Sequence, residues 1–158
     1  MLRPYQPDDL DAVMDIANRA WKPIHDMYRD TYGPELMEIL RPDADTFKGK
    51  QVEAYCRAHP DRALVYEDAG KIVAFVTFIL DEDTRIGEIY ANAVDPDCPL
   101  KGLGQQMYQA VFEVFGRHNM RYAKVFTGLD DAHARARKAY ERAGFDIRHD
   151  DTIYYKEL

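Results

Sequence analysis

The sequence has few of the features that mark secreted or membrane-spanning proteins. Only two of its 158 residues are cysteines, Cys56 and Cys98, which are too few for a disulfide framework and fit a reducing compartment. The longest apolar run, residues 72–80, is far short of the ~20 residues that a membrane-spanning helix needs. The first residues, MLRPYQPDDLD, lack the apolar core of a signal peptide. We therefore expect a cytoplasmic protein without membrane association.

Positive charge is also scarce. The chain carries 21 Lys and Arg residues against 28 Asp and Glu residues, a formal net charge of −7. Non-specific nucleic-acid binding requires clustered Lys and Arg that replace counterions, so we expect no nucleic-acid partner. The acidic surface suits a cationic acceptor such as a primary amine, and it also suits simple solubility. With 46% apolar and 31% charged residues, the chain is predicted to form one soluble domain over residues 1–158.

The motifs of the common nucleotide-binding folds and of metal sites are missing. Gly102 and Gly104 are followed by Met107, so the third glycine of G-x-G-x-x-G is absent. No G-x-x-x-x-G-K-[ST] segment occurs either, which leaves nucleoside triphosphatase chemistry unsupported. The histidines and cysteines show no metal-ligand spacing, and we predict no metal site. Internal repeats, low-complexity tracts and linkers are absent from the sequence as well.

Residues 92–115 combine the end of a predicted strand, a loop with two glycines and an amphipathic helix. The helix is predicted because its apolar residues recur at a period near 3.6: Leu103, Met107, Ala110, Val111, Val114 and Phe115. Gly102 and Gly104 cost this helix roughly 1 kcal/mol each relative to alanine, which indicates that the loop needs bare backbone. The unpaired N–H groups of the helix start then form an anion site for phosphate or pyrophosphate. The alternative is a plain strand-to-helix turn.

Apolar periodicity predicts the other elements along the chain. The predicted strands cover residues 1–5, 63–67, 72–80, 85–94, 122–127, 145–148 and 153–157. The first predicted helix begins at Pro7 and has a buried stripe that ends at Trp21, and further helices cover residues 34–40, 44–59 and 131–143. Apart from the short helix, the pattern from residue 22 to 46 is irregular. A meander followed by strand–helix–strand alternation indicates a mixed α/β sheet.

Two motifs carry a family resemblance. The segment V-D-P-x-x-P-L-K-G-L-G at residues 94–104 resembles the acetyl-CoA signature of the GNAT N-acetyltransferases, and D-A-H-A-R-A-R-K-A-Y-E-R-A-G-F at residues 131–145 resembles the family's N-x-x-A-x-x-x-Y-x-x-x-G-F. The sequence departs from the family pattern in two places, with Pro99 for Arg or Gln and His133 for Asn. The resemblance implies a central, twisted, mostly antiparallel sheet of about six or seven strands flanked by about four helices.

The resemblance also implies that an acetyl group moves from acetyl-CoA to a primary amine by direct attack in a ternary complex. In such a site the backbone of Ala93 and Val94 lies along pantetheine and polarises the thioester carbonyl. His133 replaces the family's Asn as a hydrogen-bond partner of the cofactor, with surface capping as the alternative. The predicted pyrophosphate donors, with Lys101 adding charge, are Leu100, Lys101, Gly102, Leu103, Gly104 and Gln105.

Tyr140 is the predicted general acid, which protonates the departing thiolate during bond breaking, and it also contacts the cofactor. It shares one narrow helix face with small residues, namely Ala136, Ala139 and Ala143, which allow close approach to the cofactor. The alternative for a tyrosine among alanines is core packing.

Glu88 is the predicted general base, acting through water on an amine that is almost wholly protonated at neutral pH. It lies six residues before Val94, and a period of two puts both side chains on one face of the strand. The alternative is a solvated strand residue that faces Arg85 or Lys71.

The acceptor is predicted to be a small-molecule or peptide amine. The aromatic region of residues 21–42 corresponds to the family's acceptor cover, so Trp21, Tyr28 and Tyr32 are predicted to bind the substrate. The alternative is that these side chains pack a loop onto the sheet. The family's habit also favours a homodimer. The competing function is a catalytically inactive protein of the same fold that binds acyl-CoA or regulates a partner.

Overall fold

A computed structural model describes residues 1–158 as a five-stranded sheet with four helices. The strands are β1 Leu2–Pro4, β2 Ala63–Asp68, β3 Lys71–Asp81, β4 Ile86–Val94 and β5 Tyr122–Val125. The helices are α1 Leu10–Leu40, α2 Ala44–Ala58, α3 Leu103–Arg117 and α4 Ala134–Arg142. Spatial order follows chain order, with antiparallel neighbours from β1 to β4 and a parallel β4–β5 pair. The prediction of a mixed, mostly antiparallel sheet is confirmed.

The sheet separates two apolar cores. One core, on the side of α1 and α2, includes Val13, Ile16, Val52 and Phe75. The other, on the side of α3 and α4, is built around the predicted stripe of α3, whose buried members are Leu103, Met107, Val111 and Phe115. Burying each such side chain contributes about 1.5–3 kcal/mol. Helix α3 is therefore anchored to the sheet by this packing, and its first residue, Leu103, shares the second core with Val94 at the end of β4.

Helix α1 is longer than the sequence indicated. It continues through Pro23 and breaks only at Gly33, where φ is 75° and ψ is 167°. The predicted irregular stretch from residue 22 is therefore wrong up to Tyr32. Pro23 lacks the N–H that would bond to the main chain one turn earlier, so the sequence predicts that the helix ends there. The helix persists because its aromatic side chains recur at helical spacing, at Trp21, His25, Tyr28 and Tyr32.

The two predicted strands at residues 145–148 and 153–157 do not form. Residues 145–158 have no helix or strand, so the sheet has five strands, slightly fewer than expected. Large apolar side chains in this segment, Ile147, Ile153 and Tyr154, are 85%, 69% and 90% exposed. An alternating pattern stabilises a strand only when a neighbouring strand pairs with it. No strand pairs with this segment, although Phe145 packs against Phe112 and Tyr140.

None of the helices, including the long α1, pairs its length with the apolar content that crossing a membrane requires.

Candidate active site

Strand β4 carries a bulge at Tyr90. Thr77 of β3 lies opposite Ala91, whereas the next residue, Phe78, lies opposite Ile89, so Tyr90 is the extra residue. The Thr77 hydroxyl repairs the interrupted ladder by donating to the Ala91 carbonyl at 3.2 Å and accepting from the Ala91 N–H at 3.1 Å. The bulge bends β4 at the middle of the sheet and reorients every side chain beyond it.

Beyond the bulge, one edge of β4 is open. Strand β5 pairs with β4 only over residues 86–89, and no strand follows on that side. The Asp95 N–H donates to the Val73 carbonyl of β3 at 2.8 Å. Since N–H groups alternate in direction along a strand, that of Ala93 also faces β3 and that of Val94 faces the open side. Of the two predicted backbone donors, only Val94 has the direction needed to reach a molecule beside β4.

The bulge overturns the argument that placed Glu88 and Val94 on one face. Ile89 packs in the core of α3, whereas Ala91 and Ala93 pack in the core of α1 and α2. The side-chain alternation therefore changes phase at Tyr90, and Glu88 lies on the face opposite to Val94.

The partner of Glu88 also differs from the two cations considered in the sequence. Its carboxylate forms a salt bridge at 2.8 Å with Lys124, the residue opposite it on β5. Arg85 instead donates to the main-chain carbonyl of Asn119. Glu88 is thus a partly buried carboxylate beside the point where β4 and β5 separate, and its role as a base stays a prediction.

The start of α3 presents unpaired donors. Gly102 has φ of 78° and ψ of 2°, a left-handed conformation that favours glycine. The first hydrogen bond of the helix runs from the Gln106 N–H to the Gly102 carbonyl at 3.2 Å, and no side chain caps this end. The N–H groups of Leu103, Gly104 and Gln105 are therefore without a partner, which is the arrangement that binds an anion.

Neither the backbone conformation nor a close contact within the chain requires a glycine at position 104. Its φ is not positive, and a Cβ built there would meet nothing closer than the ring of Tyr108 at 3.9 Å. A glycine in a helix is nevertheless less favourable than alanine by about 1 kcal/mol. The space over Gly104 is thus available to a molecule that is not part of the chain.

Ion pairs fix the loop between β4 and α3. Arg19 of α1 donates to both carboxylate oxygens of Asp95 at 2.7 and 2.9 Å, and to Asp97 at 3.0 Å. These hydrogen bonds hold the pKa of Asp95 below its usual range. Pro99, Leu100 and Lys101 that follow are exposed.

The Gln105 side chain is already used within the chain. It donates to the Ala139 carbonyl at 2.8 Å and so ties α3 to α4. The predicted contribution of Gln105 to an anion therefore depends on its main-chain N–H alone.

The hydroxyl of Tyr140 belongs to a chain of hydrogen bonds across the second core. The Asn92 amide donates to the Tyr140 hydroxyl at 3.0 Å, and the Tyr108 hydroxyl donates to the Asn92 carbonyl oxygen at 2.9 Å. Tyr140 is 8% exposed, and burial raises its pKa while the hydrogen bond from Asn92 opposes this. The Tyr108 hydroxyl is also close enough to hydrogen-bond with this phenol, which is neutral at physiological pH.

Sequence reasoning missed Asn92 and Tyr108, although a signal for each was present. Asn92 precedes Val94 by two residues and therefore shares its face of β4. Tyr108 follows Gly104 by four residues and shares its face of α3. The predicted small face of α4 packs against the same core, through Ala136, Ala139 and Ala143.

His133 is engaged in a local turn. The ring Nδ1 of His133 lies 2.8 Å from both carboxylate oxygens of Asp130. The main-chain N–H of His133 donates to the same carboxylate at 3.0 Å. Asp130 therefore caps this turn, and His133 is the residue that it caps. A contact of His133 with the cofactor stays a prediction. The ring also lies 6.4 Å from that of Tyr28. No group of three or more His, Cys, Asp or Glu side chains is placed to hold a metal ion.

The predicted acceptor residues line one face of α1 on the side of the first core. Trp21 receives the Lys48 ammonium at 4.5 Å from its ring centre, and that ammonium is also 5.8 Å from the Tyr90 ring. Tyr28 and Tyr32 stack at 5.4 Å. The structure therefore places Trp21 beside the bulge of β4, while Tyr28 and Tyr32 extend away from it along the helix.

The Lys48 ammonium gives a pH-dependent prediction for stability. Burial, followed by the nearby Arg41 charge, lowers the pKa of Lys48 from 10.5 to about 8. The charged form is therefore disfavoured in the folded state below pH 8, and this penalty disappears as the pH rises to about 10.5, where both states are neutral. We expect Lys48→Met to raise the free energy of unfolding at pH 7 by on the order of 1–2 kcal/mol, allowing for solvent screening.

Urea unfolding at pH 7, 8.5 and 10 measures this effect, and the gain should shrink at each step. The matched control is Lys50→Met on the same helix, since Lys50 is exposed and forms an ion pair at 3.2 Å with Asp43. A gain for Lys48→Met that is equal at all three pH values would show that lost charge burial is not its cause.

Comparison with known proteins agrees with the geometry. The Acetyltransferase (GNAT) family model matches residues 21–145. Mycothiol acetyltransferases from Acidimicrobium ferrooxidans and Propionibacterium freudenreichii subsp. shermanii are 26% and 33% identical over 153 residues, which is 94% and 95% of this chain but 44% of each relative. The chain thus spans less than half the length of these two relatives.

A solved structure of similar fold is the PaiA N-acetyltransferase from Thermoplasma acidophilum in complex with coenzyme A. It superposes with a TM-score of 0.71 at 15% identity, covering 96% of this chain and 92% of that one. At this identity the likeness shows the fold. Because the family model covers most of the chain and includes both motifs, the protein belongs to the GNAT family of acetyltransferases.

Proposed function

We propose that the protein is an N-acetyltransferase that moves the acetyl group of acetyl-CoA to a primary amine by direct attack in a ternary complex. One juxtaposition supports this proposal above all. The Val94 N–H points out of the open edge of β4, and the start of α3, with its unpaired N–H groups, packs on one face of the same sheet. The Tyr140 hydroxyl lies on that face too, hydrogen-bonded to Asn92, two residues before Val94. The coenzyme A complex of the similar PaiA enzyme is consistent with this use of the fold.

The residues present fit a coenzyme A pyrophosphate. Three main-chain donors, those of Leu103, Gly104 and Gln105, converge at the helix start, and the missing side chain of Gly104 leaves room for close approach. Lys101 is exposed beside them and adds positive charge. Pro99 offers no N–H, so we assign the binding of the pyrophosphate to the helix donors alone.

When bound, acetyl-CoA supplies a thioester whose carbonyl carbon accepts the amine. Negative charge then develops on the carbonyl oxygen, where the Val94 N–H stabilises it. Tyr140 holds the proton that the departing sulfur requires. A phenol of raised pKa is a weak donor to a thiolate whose thiol has a pKa near 8.5, so the proton moves to sulfur as the C–S bond breaks. The hydrogen bond from Asn92 strengthens as the phenol oxygen gains charge, which favours this transfer.

The attacking amine must lose a proton before or during attack, since an amine of pKa near 10 is protonated at neutral pH. Glu88 is the proposed base. Its side chain faces the α1 and α2 side of the sheet, near the point where β4 and β5 separate. We propose that the acceptor binds against Trp21 and approaches the thioester from that side. The salt bridge of Glu88 with Lys124 keeps the carboxylate in place for a water-mediated transfer.

The name of the two relatives, mycothiol acetyltransferase, makes the acceptor of that reaction one substrate to test. Because the chain covers less than half of each relative, that substrate is a proposal for this protein. Cytoplasmic localisation and homodimer formation stay predictions from the sequence.

Isothermal titration with acetyl-CoA tests the function first, followed by a screen of amines for release of free CoA and for acetylated product by mass spectrometry. We expect binding in the micromolar range and transfer to at least one primary amine. Absence of binding heat would reject the cofactor site. Binding with no transfer to any amine would favour the alternative, a protein of this fold that binds acyl-CoA without catalysis.

A further inference from the structure

Lys48 is an unusual lysine in this protein. Every other lysine is exposed, whereas Lys48 is partly buried and pairs with no carboxylate. Its only polar partner is the Gln51 side-chain oxygen at 2.7 Å, and its ammonium rests on the rings of Trp21 and Tyr90. Lysines seldom leave water without an anionic partner, so the site lacks a negative group.

Arg41 repeats this pattern next to Lys48. Its guanidinium lies 5.1 Å from the Tyr28 ring centre and 5.4 Å from that of Phe47. It donates to the neighbouring Leu40 carbonyl at 3.2 Å and also hydrogen-bonds to the Tyr28 hydroxyl, so it meets no carboxylate. Arg41 rests on Phe47, the residue that precedes Lys48, and on Tyr28, two turns along α1 from the Trp21 ring under Lys48. Both cations therefore lie over one row of aromatic rings.

The other partly buried arginines have carboxylates or two main-chain carbonyls as partners, whereas Lys48 and Arg41 lack a carboxylate. Arg3, Arg19 and Arg62 each pair with at least one carboxylate, and Arg137 donates to two main-chain carbonyls at 2.6 and 2.7 Å. The protein has an excess of acidic residues, yet none of them reaches Lys48 or Arg41. The two cations therefore form an unneutralised pair, which we call the Lys48–Arg41 pair.

The buried face beside this pair adds no negative charge. His25 lies between Trp21 and Tyr28 on the α1 stripe, is 3% exposed, and meets the ring of Phe47 edge-on at 6.1 Å. Burial, and also the charges of Arg41 and Lys48, lower the pKa of His25. His25 is thus a neutral neighbour at physiological pH, and an anion entering here meets no repulsion from it.

The position of the Lys48–Arg41 pair shows that it does not bind the cofactor pyrophosphate and is available to another anionic group. The rings that hold Lys48 belong to the first core, on the α1 and α2 side of the sheet. The start of α3 and Tyr140 belong to the opposite side. A cofactor pyrophosphate on α3 therefore leaves this pair free. Tyr90, against which Lys48 rests, is the bulge residue where the open edge of β4 begins.

We propose that the Lys48–Arg41 pair binds a carboxylate of the acceptor, so that the substrate is an amine that also carries a carboxylate, as in amino acids and their derivatives. The inference rests on the proposed function, since it names the substrate class of that site. A carboxylate would neutralise both cations and form charge-assisted hydrogen bonds with them. Trp21 and Tyr28 provide aromatic walls for the apolar part of such a molecule.

Steady-state kinetics with matched acceptor pairs tests this proposal. Each pair consists of an amino acid or short peptide and its carboxamide, which share the same primary amine. Amidation lowers the pKa of the amine and leaves more of it unprotonated, so a preference for the acid reports carboxylate binding. We expect wild type to favour the acids and Lys48→Gln or Arg41→Gln to lose roughly 10- to 100-fold in kcat/KM for the acids, mainly through KM.

Three controls accompany this experiment. Lys50→Gln removes an exposed charge from the same helix and should leave the preference intact. Lys48→Arg retains the charge and should restore most of the kcat/KM that Lys48→Gln loses. The affinity for acetyl-CoA should be unchanged in every variant. If each amide exceeds its acid in wild-type kcat/KM by the full ratio of their unprotonated fractions, or if the preference is unchanged in both Gln variants, the proposal is overturned.

Binding of the N-acetylated products by titration calorimetry, in the presence of CoA, provides a readout that needs no turnover. If the acid product binds and Lys48→Gln abolishes its binding while no amine is acetylated, the carboxylate site stands and the proposed function fails. If amines are acetylated and each amide exceeds its acid by that full ratio, the proposed function stands and the carboxylate site is rejected. Absence of both binding and transfer would reject both.

Discussion

Tyr140→Phe is expected to lower kcat by roughly 10²- to 10³-fold while leaving the affinity for acetyl-CoA nearly unchanged. The substitution removes only the hydroxyl, so the ring keeps its packing against Tyr108 at 5.4 Å and Phe145 at 6.0 Å. The lost group is the phenol proton that is proposed to reach the departing sulfur. Because the pKa of Tyr140 is raised, the wild-type enzyme should not lose this proton to solvent below about pH 10.

Tyr108→Phe is the matched control. It removes a hydroxyl from the same chain of hydrogen bonds, one partner further from the proposed reaction. We expect a stability loss of about 1 kcal/mol, because the Asn92 oxygen is left without its donor, and a fall in kcat of no more than a few-fold. Single-turnover kinetics with saturating acetyl-CoA separates these effects. Equal rates for Tyr140→Phe and wild type would show that solvent protonates the thiolate.

The elements with strong local signals could be predicted from the sequence. The apolar stripe of α3 repeats at helical spacing over its whole length, and both motif glycines sit at its start. Gly102 adopts the left-handed conformation that only its lack of a side chain makes inexpensive. These features are set by residues close together in the chain, so periodicity and turn chemistry suffice to find them.

Which face of the sheet each side chain of β4 lies on could not be predicted in this way. A single extra residue at Tyr90 moves Glu88 to the face opposite Val94, and that residue is extra only relative to its partner strand β3. Nothing in the local sequence of β4 distinguishes a bulged strand from a regular one. Hydrogen bonds between distant residues, such as Asn92 with Tyr140, have the same origin, since they depend on how two elements dock.

The charge environment was also beyond sequence reasoning. Net charge suggested an acidic surface that suits a cationic acceptor, whereas the structure gathers Lys48 and Arg41 against aromatic rings without a carboxylate. Both residues lie outside the motifs that carry the family resemblance. The two residues lie seven positions apart at the junction of α1 and α2, but only the packing of α2 on α1 places both cations against aromatic rings. The overall composition does not reveal such a local concentration of charge.

Gly104→Leu is expected to reduce the affinity for acetyl-CoA by about 100-fold or more, which corresponds to about 2.7 kcal/mol or more, while raising the free energy of unfolding by about 0.5–1 kcal/mol. The two effects have opposite signs for a physical reason. A Cβ at Gly104 has room in the protein, because it would meet only the Tyr108 ring at 3.9 Å. The rest of the leucine side chain would occupy the space in which the three unpaired N–H groups reach an anion.

Gly116→Leu serves as the matched control at the other end of the same helix. Its Cβ would meet nothing within 4 Å, so the same chemical change is accommodated without strain and far from the proposed pyrophosphate. We expect this variant to bind acetyl-CoA like wild type in titration calorimetry. Gly102 is unsuitable for the test, because at φ of 78° any side chain strains the loop and lost binding would have two causes. A stabilised Gly104→Leu protein that still binds with wild-type affinity would show that the anion site at the start of α3 is not used, whereas a stabilised protein without binding would place the cofactor there.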